Sequence, residues 1–243
     1  MNRFYYDLHL HSCLSPCGDN DCTPDSIVGM GELNGLNIMA LTDHNSCKNC
    51  PAFFKAAERH GITAVAGIEL TTAEDIHTVC LFESLEAALD FDREIEKRRI
   101  LIPNRTDVFG DQLILDGEDN LIGREEHLLI NATTLSLEEV PPLCEMYGGI
   151  CYPAHIDRES NGVIAVLGAF PTEPKFKLAE LHDGALMESY CEKIGFKKEQ
   201  FIVSSDAHYL WDIKEQSDYF TLDAEKCGDE VRKRLFEFLR GAE

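Results

Sequence analysis

Asp7-Leu8-His9-Leu10-His11 is the stretch from which the rest of the chain can be interpreted, because it combines strand-forming residues with two histidines two positions apart. In a β-strand alternate side chains share a face, so the pattern predicts Asp7, His9 and His11 on one face and Leu8 and Leu10 on the other. Two imidazoles about 7 Å apart on one face can bind one metal ion or bridge two. A half-exposed strand with incidental histidines would show the same pattern, so the stretch takes its meaning from the rest of the chain.

The overall charge is strongly acidic. The 243 residues include 44 Asp and Glu but only 22 Lys and Arg, which gives a formal net charge of −22. A soluble acidic surface explains most of this excess, and a carboxylate-rich site that binds divalent cations would contribute to it. Broad binding to a polyanion is disfavoured, because a basic footprint would be expected for it.

The sequence predicts a cytoplasmic protein. No run approaches the roughly 18 to 20 apolar residues of a membrane span. Residues 1–6 lack a signal-peptide pattern and enter the first strand almost at once. Ten cysteines without an export signal indicate a reducing compartment and mostly free thiols. The sequence does not define an oligomeric state.

The first third of the chain alternates between predicted strands and helices. Thr23-Pro24-Asp25 is typical of a helix start, Gly35 can end that helix, and a second helix is predicted from Pro51 to Gly61. After the first strand, further strands are predicted at 36–44, 63–69 and 77–82. This β-α-β-α-β order predicts a parallel sheet with covering helices.

The remainder is less regular until residue 150. A charged helix is predicted from Leu85 to about Arg99, and a hairpin over 112–122 with two Asp-containing turns. Later strands are predicted at 150–155, 178–182, 201–208 and 219–222, followed by an amphipathic helix. The length is compatible with one α/β barrel or two smaller domains. We predict one domain over residues 1–243 with an inserted region at about 100–135.

Ligand-type side chains recur at the ends of the predicted strands. They are His9, His11, Asp19, His44, Glu69, His77, His155, Asp206 and His208. In a parallel α/β barrel the carboxyl ends of the strands converge on one face, where active sites form. Nine such side chains are enough for two or three metal ions. We predict that the other histidines, His60, His127 and His182, are surface or structural residues.

The ordered motifs resemble those of the polymerase and histidinol phosphatase (PHP) superfamily of metal-dependent phosphoesterases. The matching pieces are Asp7-Leu8-His9-Leu10-His11, Leu41-Thr42-Asp43-His44, Gly67-Ile68-Glu69, His77, Pro153-Ala154-His155-Ile156-Asp157-Arg158 and Ser205-Asp206-Ala207-His208. Any one of these motifs is weak, but the ordered set runs from one end of the chain to the other. The resemblance implies an α/β fold, a distorted (β/α)₇ barrel with a trinuclear metal site at its mouth.

The resemblance also implies how the ligands are divided. One ion would be bound by His9, His11, Glu69 and Asp206; a second by Glu69 as a bridge together with His77 and His155; a third by Asp19, His44 and His208. Asp19 is aligned by its four-residue distance from Thr23, and Asp21 or Cys17 are alternatives. Mixed imidazole and carboxylate ligation suits Mn²⁺, Fe²⁺ or Zn²⁺.

Arg158 is the candidate for contact with substrate. It follows His155 by three residues and could reach a nonbridging phosphate oxygen, or instead pair with a carboxylate such as Asp157. Asp206 and His208 are expected to be catalytic as well as metal ligands. Asp43 is expected to support the site or to be structural.

The pair Cys47 and Cys50 has C-x-x-C spacing at a predicted helix start, where a thiolate is stabilised. It is either an oxidation-sensitive pair or two free thiols beside the site. Lys48, between them, is a candidate for contact with a substrate phosphate.

We therefore predict a phosphoesterase that hydrolyses a phosphate ester of a small metabolite or short nucleotide with metal-activated water. The alternatives are an exonuclease acting on RNA or DNA ends and a non-catalytic metal-binding accessory module. Long nucleic acid is disfavoured because the basic clusters Lys97-Arg98-Arg99 and Arg232-Lys233-Arg234 lie on predicted helices outside the barrel mouth. The middle region would overturn this expectation about long nucleic acid if it folded over the mouth, because it contains Arg105, Phe109 and Arg124.

Overall fold

The computed structural model describes residues 1–241, so residues 242 and 243 of the predicted domain lie outside it. The strands are β1 (Asn2–Leu10), β2 (Ile38–Leu41), β3 (Thr63–Thr71), β4 (His77–Phe82), β5 (Leu113–Leu115), β6 (Leu121–Arg124), β7 (Ile150–Pro153), β8 (Ala179–Leu181), β9 (Phe201–Val203) and β10 (Tyr219–Leu222). The α-helices are α1 (Pro24–Leu33), α2 (Cys50–His60), α3 (Leu85–Glu96), α4 (Thr106–Phe109), α5 (Val140–Met146), α6 (Val163–Leu167), α7 (Met187–Ile194) and α8 (Asp229–Gly241). None of these helices combines the length and apolar character needed to cross a membrane.

Seven strands form a distorted barrel. Six strands make one sheet in the order β10-β1-β2-β3-β4-β7, and β8 pairs in parallel with β9. This pair spans the gap between β7 and β1: Ile156 N donates to Glu180 O at 2.9 Å, and Leu10 forms a parallel bridge with Ala207. The barrel predicted from the sequence is confirmed, with β10 as an antiparallel addition at the edge of β1.

The expectation of a wholly parallel sheet is wrong at β4. This strand runs antiparallel to both β3 and β7. Only residues 72–76 connect β3 to β4, which is too short for the crossover that a parallel pair requires. Thr72 N donates to Ile76 O and closes this turn. As a consequence the first residue of β4, His77, lies at the same end of the barrel as the last residues of β3.

The predicted alternation of faces in β1 fails near its end. Leu8 packs in one apolar cluster, whereas Leu10 packs in another. The pairing of β1 with β2 shifts register between Asp7 and Leu10, and such an irregularity rotates the side chains that follow it. Asp7 accepts a hydrogen bond from Ser205 N at 3.1 Å and does not join the histidines.

The helix boundaries follow local signals in the sequence. Thr23 Oγ1 accepts from Ser26 N at the start of α1, and Pro24 is its first residue. Helix α2 ends at Gly61, whose φ of 69° is left-handed. Helix α3 stops at Glu96, three residues earlier than predicted.

Two apolar layers fix the barrel. Alternate residues of β1, β2, β3 and β4 pack with the apolar face of α8, where Val231, Leu235, Phe236 and Leu239 are buried. The other faces of β2 and β3 pack against α1, α2 and α3. Each fully buried Leu or Phe stabilises the fold by about 1.5–3 kcal/mol, so the strand ends that carry the site are held by a rigid support.

The segment between β4 and β7 carries the predicted hairpin, β5 and β6, which forms its own antiparallel pair outside the barrel sheet. It packs against the loops after β1 and β2, since Leu113 N donates to Cys13 O at 2.8 Å and Asn49 Nδ2 donates to Leu113 O at 3.0 Å. The two arginines of the middle region that could have supplied basic contacts over the barrel mouth form ion pairs: Arg105 with Asp107 and Arg124 with Asp111.

Candidate metal centre

Eight of the predicted ligand residues lie together at one end of the barrel. They are His9, His11, His44, Glu69, His77, His155, Asp206 and His208, contributed by the ends of β1, β2, β3, β7 and β9, the start of β4 and the turns that follow these strands. His208 is partly exposed, and the other seven are buried.

The carboxylate of Glu69 is the centre of this arrangement. Five imidazoles contact it, with nitrogen–oxygen distances of 3.3 Å from His9, 3.3 Å from His11, 2.9 Å from His44, 2.7 Å from His77 and 3.1 Å from His155. The second carboxylate, that of Asp206, lies 3.3 Å from His9 Nε2 and 3.1 Å from His11 Nε2. Imidazoles contact both carboxylate oxygens of Glu69, so this carboxylate is placed to bridge two ions.

Three groups of ligand atoms converge closely enough to hold a metal ion. Within each group all atoms lie within 4.8 Å of one another; the groups are His9, His11, Glu69 and Asp206; His44, Glu69 and His77; and His11, His44 and His208. No other group of this kind is found in residues 1–241.

The chemistry of these donors fits metal ions better than hydrogen bonding. His44 Nδ1 and Glu69 Oε2 lie 2.9 Å apart, yet within the described part of the chain neither atom has a hydrogen-bond partner. Buried polar atoms are rarely left in this state without an ion or a catalytic role to account for it. Imidazole and carboxylate together suit Mn²⁺, Fe²⁺ and Zn²⁺.

The two carboxylates are held ionised. Burial raises the pKa of Glu69, but His77, His9 and His44 outweigh this effect and leave the pKa well below its ordinary range. Burial also raises the pKa of Asp206, and the neighbouring His9 and His11 again reverse the sign. Both groups therefore offer full negative charge at neutral pH.

The histidines fall into two electrostatic classes. Burial lowers the pKa of His11, but the adjacent carboxylates of Asp206 and Glu69 raise it to about 9. Carboxylates similarly outweigh burial and raise the pKa of His9 and His155. Burial dominates at His44 and His208, whose pKa values fall to about 4 and about 3. These last two imidazoles are neutral at physiological pH and ready to accept a metal ion.

Surrounding groups orient the imidazoles. Glu180 Oε1 lies 2.8 Å from His9 Nδ1 and accepts from His155 N at 3.1 Å. Ser15 Oγ lies 2.9 Å from His11 Nδ1 and donates to Asp43 Oδ1 at 2.7 Å. Partners of this kind fix the ring orientation of metal ligands and raise their basicity. Asp43 has the supporting position expected from the sequence, whereas Glu180 was missed.

Two of the candidate ligands adopt left-handed backbone angles. The φ values are 26° for His155 and 52° for Asp206. Such angles are uncommon for residues other than glycine, each costs of order 1–3 kcal/mol, and they cluster at functional sites. The surrounding barrel therefore holds both residues in conformations that orient their side chains towards the centre.

Asp19 is the one predicted ligand whose carboxylate lies outside the three groups, although its backbone N donates to His208 O at 2.9 Å. Its Oδ1 accepts from Asp21 N at 2.8 Å and closes a local turn, and it belongs to none of the three groups. Cys17, from the same loop, reaches the site instead: its Sγ lies 3.2 Å from His44 Nε2. Asp21 is exposed.

Arg158 lies at the rim of the centre and pairs with Asp206. Its Nη1 donates to Asp206 Oδ2 at 2.5 Å, and its Nη2 lies 3.1 Å from His182 Nδ1. Asp157, the partner considered from the sequence, accepts from the backbone of His182 and Asp183 instead. His182 is an exposed residue, in agreement with its predicted surface or structural role, and its ring contacts Arg158 at the rim of the site.

Lys48 and the C-x-x-C pair have no place in the centre. Lys48 Nζ lies 2.6 Å from Glu125 and 2.8 Å from Glu96, so its charge is already paired. Cys47 and Cys50 are buried free thiols. Contact with Cys50 and burial raise the pKa of Cys47, which is the opposite of the stabilised thiolate that the helix start predicted.

A barrel with a buried cluster of imidazoles and carboxylates at its mouth defines an α/β-barrel protein with a metal centre. The chain belongs to the PHP domain family, whose model matches residues 7–136, and the resemblance drawn from the motifs is thereby confirmed.

A curated relative and two solved structures accompany this match. The chain is 29% identical over 131 residues to a 5'-3' exoribonuclease from Haemophilus influenzae, a segment that is 46% of each protein, so the chain spans about half of that relative. The lesion-specific endonuclease from Pyrococcus furiosus matches with a TM-score of 0.61 and 16% identity over 96% of this chain and 55% of that one. An amidohydrolase from Chromobacterium violaceum matches with a TM-score of 0.56 and 18% identity over 88% and 91%. These structural likenesses establish the fold.

Proposed function

We propose that this protein is a metal-dependent phosphoesterase that hydrolyses a phosphate ester of a small metabolite or short nucleotide. The observation that carries the proposal is the carboxylate of Glu69 in contact with five imidazoles. So dense a set of ligand atoms around one buried carboxylate has no evident structural purpose, because it concentrates polar groups that are costly to bury.

The centre would hold two to three divalent ions. The first group, His9, His11, Glu69 and Asp206, would bind one; Glu69 with His77 and His155 would bind a second; and His44 and His208, which converge beside His11, would bind a third. When bound, such ions supply a water molecule of lowered pKa and electrostatic stabilisation of the phosphoryl oxygens.

The residues of the chain would orient the substrate. The Arg158 side chain is 38% exposed, and its guanidinium fork can turn one edge to nonbridging phosphate oxygens while Asp206 holds the other. His182 contacts the same guanidinium and limits its freedom. Asp206 stays ionised and therefore keeps Arg158 aimed at the mouth. His208 stays neutral, so its imidazole can bind an ion of the centre.

The cleft beside the centre suits a small ester. Its volume is about 850 Å³, and its lining includes Arg158, His182, Asp206, Trp211 and Lys214. Cavities of roughly 300–1,000 Å³ are typical of small-molecule sites. The cleft therefore has room for a phosphorylated metabolite or nucleotide next to the candidate ligand Asp206.

The pairing of surface cations also favours a small substrate. Five residues of the two basic clusters form ion pairs within the protein: Lys97, Arg98, Arg99, Arg232 and Arg234. Tracking a long phosphate backbone needs several available cations. The relatives include proteins named for action on nucleic acids, so the preference for a small substrate is a proposal about this chain alone.

Exonuclease activity on RNA or DNA ends is the second candidate, and one observation favours it. Trp211 is 74% exposed and stacks on Tyr209 with ring centroids 4.8 Å apart. This pair follows His208 directly along the chain. Exposed aromatic side chains are the usual surfaces on which single-stranded bases stack, so a terminal nucleotide could rest there with its phosphate towards the centre.

A substrate panel tests the proposal. Protein loaded with Mn²⁺ is assayed with sugar phosphates, nucleotides, histidinol phosphate and a length series of 5'-labelled oligonucleotides, at low and high salt, with Glu69→Gln as the inactive control. We expect turnover of the small esters that is lost in the control. Efficiency that rises with length and collapses with salt would instead identify an exonuclease. Metal binding without turnover of any substrate would indicate the accessory module.

We also propose the single-domain organisation predicted from the sequence, with its insertion at about 100–135. Strands β4 and β7 are neighbours in the sheet although residues 83–149 separate them, and β5 and β6 lie outside that sheet. The ten cysteines are all free, which supports the proposed cytoplasmic location.

A further inference from the structure

The loop after β1 presents a cysteine to the least complete of the three groups of ligands. His11, His44 and His208 supply only imidazoles. Cys17 Sγ lies 3.2 Å from His44 Nε2, and this contact is the shortest that the structure gives for that nitrogen. The thiol therefore does not stand alone, because it contacts one of three imidazoles that converge on each other, although its sulfur is not itself a member of that group.

The loop is built to hold this position. Ser15 N donates to Ser12 O at 3.0 Å and Gly18 N donates to Ser15 O at 2.9 Å, so two consecutive turns form, and the second contains Cys17. A Cβ atom at Gly18 would lie 2.4 Å from Ser12 O, so only glycine permits the close approach of these backbones. Both Ser12 and Ser15 are tied to Asp43.

The other two thiols of the loop are used differently. Cys13 and Cys22 are buried, and their Sγ atoms contact the backbone carbonyls of Leu113 and His208. Cys17 is exposed as a residue and its sulfur contacts a candidate metal ligand. The three cysteines share a loop, but the structure directs only the sulfur of Cys17 towards an imidazole.

We propose that Cys17, and not Asp19, is the loop ligand of the third ion, together with His44 and His208. On binding, the bond between sulfur and the metal ion forms, and the thiol proton is released to solvent. Thiolate sulfur favours Zn²⁺ and other thiophilic ions, whereas carboxylate oxygen suits Mn²⁺ and Mg²⁺. The third position would therefore differ in metal preference from the two positions around Glu69. This inference rests on the metal centre of the proposed function and not on its substrate.

The test is a Co²⁺ titration of protein stripped by chelator, followed by absorption in the near ultraviolet, where thiolate-to-cobalt charge transfer appears. We expect the band in the native protein, in Asp19→Ala and in Cys191→Ser, a matched control in α7. Cys17→Asp should lose the band and still bind cobalt, because it restores an oxygen ligand. In native protein, peptide mapping after alkylation should show Cys17 labelled without metal and protected with Zn²⁺.

Several results would overturn the proposal. They are an unchanged band in Cys17→Asp, a native protein that binds three cobalt ions without the band, and equal alkylation of Cys17 with and without Zn²⁺. Loss of one ion from Asp19→Ala would restore Asp19 as the ligand. None of these readings depends on turnover, so a failed substrate panel with a positive band would refute the phosphoesterase and leave the thiolate ligand standing.

Discussion

Replacing Glu69 by Gln is the change from which the structure predicts the largest loss of metal. Glutamine keeps the shape of the side chain but removes its charge and one of its acceptor oxygens. Two of the three groups of ligand atoms contain Glu69, and the third does not. We therefore expect the variant to retain at most one ion per chain.

The magnitude follows from the effect of the carboxylates on His11. Its pKa rises from the ordinary 6.5 to about 9, which corresponds to about 3 kcal/mol of preference for a positive charge. Asp206 and Glu69 together account for at least this much, because burial acts in the opposite direction, so Glu69 contributes roughly half of it or more per unit charge. The interaction with a divalent ion is twice as large, and loss of Glu69 should weaken binding by at least about 3 kcal/mol, or about a hundredfold.

The assay is metal analysis after loading with Mn²⁺ and dialysis, combined with calorimetric titration of stripped protein. Glu74→Gln is the matched control, because Glu74 lies in the exposed turn between β3 and β4 and accepts from Leu137 N away from the centre. The control should bind metal as the native protein does. If Glu69→Gln held as many ions as the control with similar affinity, the assignment of Glu69 as a bridge would be refuted.

Three further changes have definite expected outcomes. In the metal-free protein His9, His11 and His155 all have raised pKa values and must each lose a proton before binding an ion, so Mn²⁺ affinity measured by calorimetry should rise at least about tenfold per pH unit through neutral pH; a flat profile would count against this. Glu180→Gln removes the negative charge of the acceptor that orients His9 and should lower metal affinity by about 10- to 100-fold, again by titration. Ion pairs with Arg99 and Lys48 lower the pKa of Glu125 from 4.5 to about 2 despite partial burial, so its stabilisation is present above pH 4.5 and is lost as the pH falls through 2. Urea unfolding should therefore show Glu125→Gln destabilised by about 2–3 kcal/mol at neutral pH, with the difference shrinking in acid.

The strand ends could be predicted because their local signals are strong. His44 and Glu69 each follow an apolar run, and the ends of such runs converge in a barrel. His77 was predicted at the mouth for an incorrect reason, since its strand runs in the opposite direction and presents its first residue there. Their shared location is observed, and their role as metal ligands stays a prediction.

What could not be predicted depends on contacts between distant or irregular segments. Glu180 lies between two apolar residues of β8, and a single sequence does not show that its side chain faces the centre instead of solvent. Arg158 pairs with Asp206, which lies 48 positions away, and not with its neighbour Asp157. In the loop after β1, spacing favoured Asp19, but two consecutive turns bring Cys17 to His44.

The separation of the ligands along the chain bears on the order in which the centre is assembled. His44, Glu69 and His77 all lie in the first third of the chain, whereas His11 and Asp206 are 195 positions apart. During synthesis N-terminal segments emerge first, and contacts between distant residues carry a larger entropic cost. We expect one ion to be taken up before the others when the unfolded chain refolds with Zn²⁺, and simultaneous uptake of all ions would contradict this. The group of His44, Glu69 and His77 can bind its ion while the chain is still being synthesised. Metal binding would then begin before the barrel closes, and it would be completed only when the last strands of the barrel have folded.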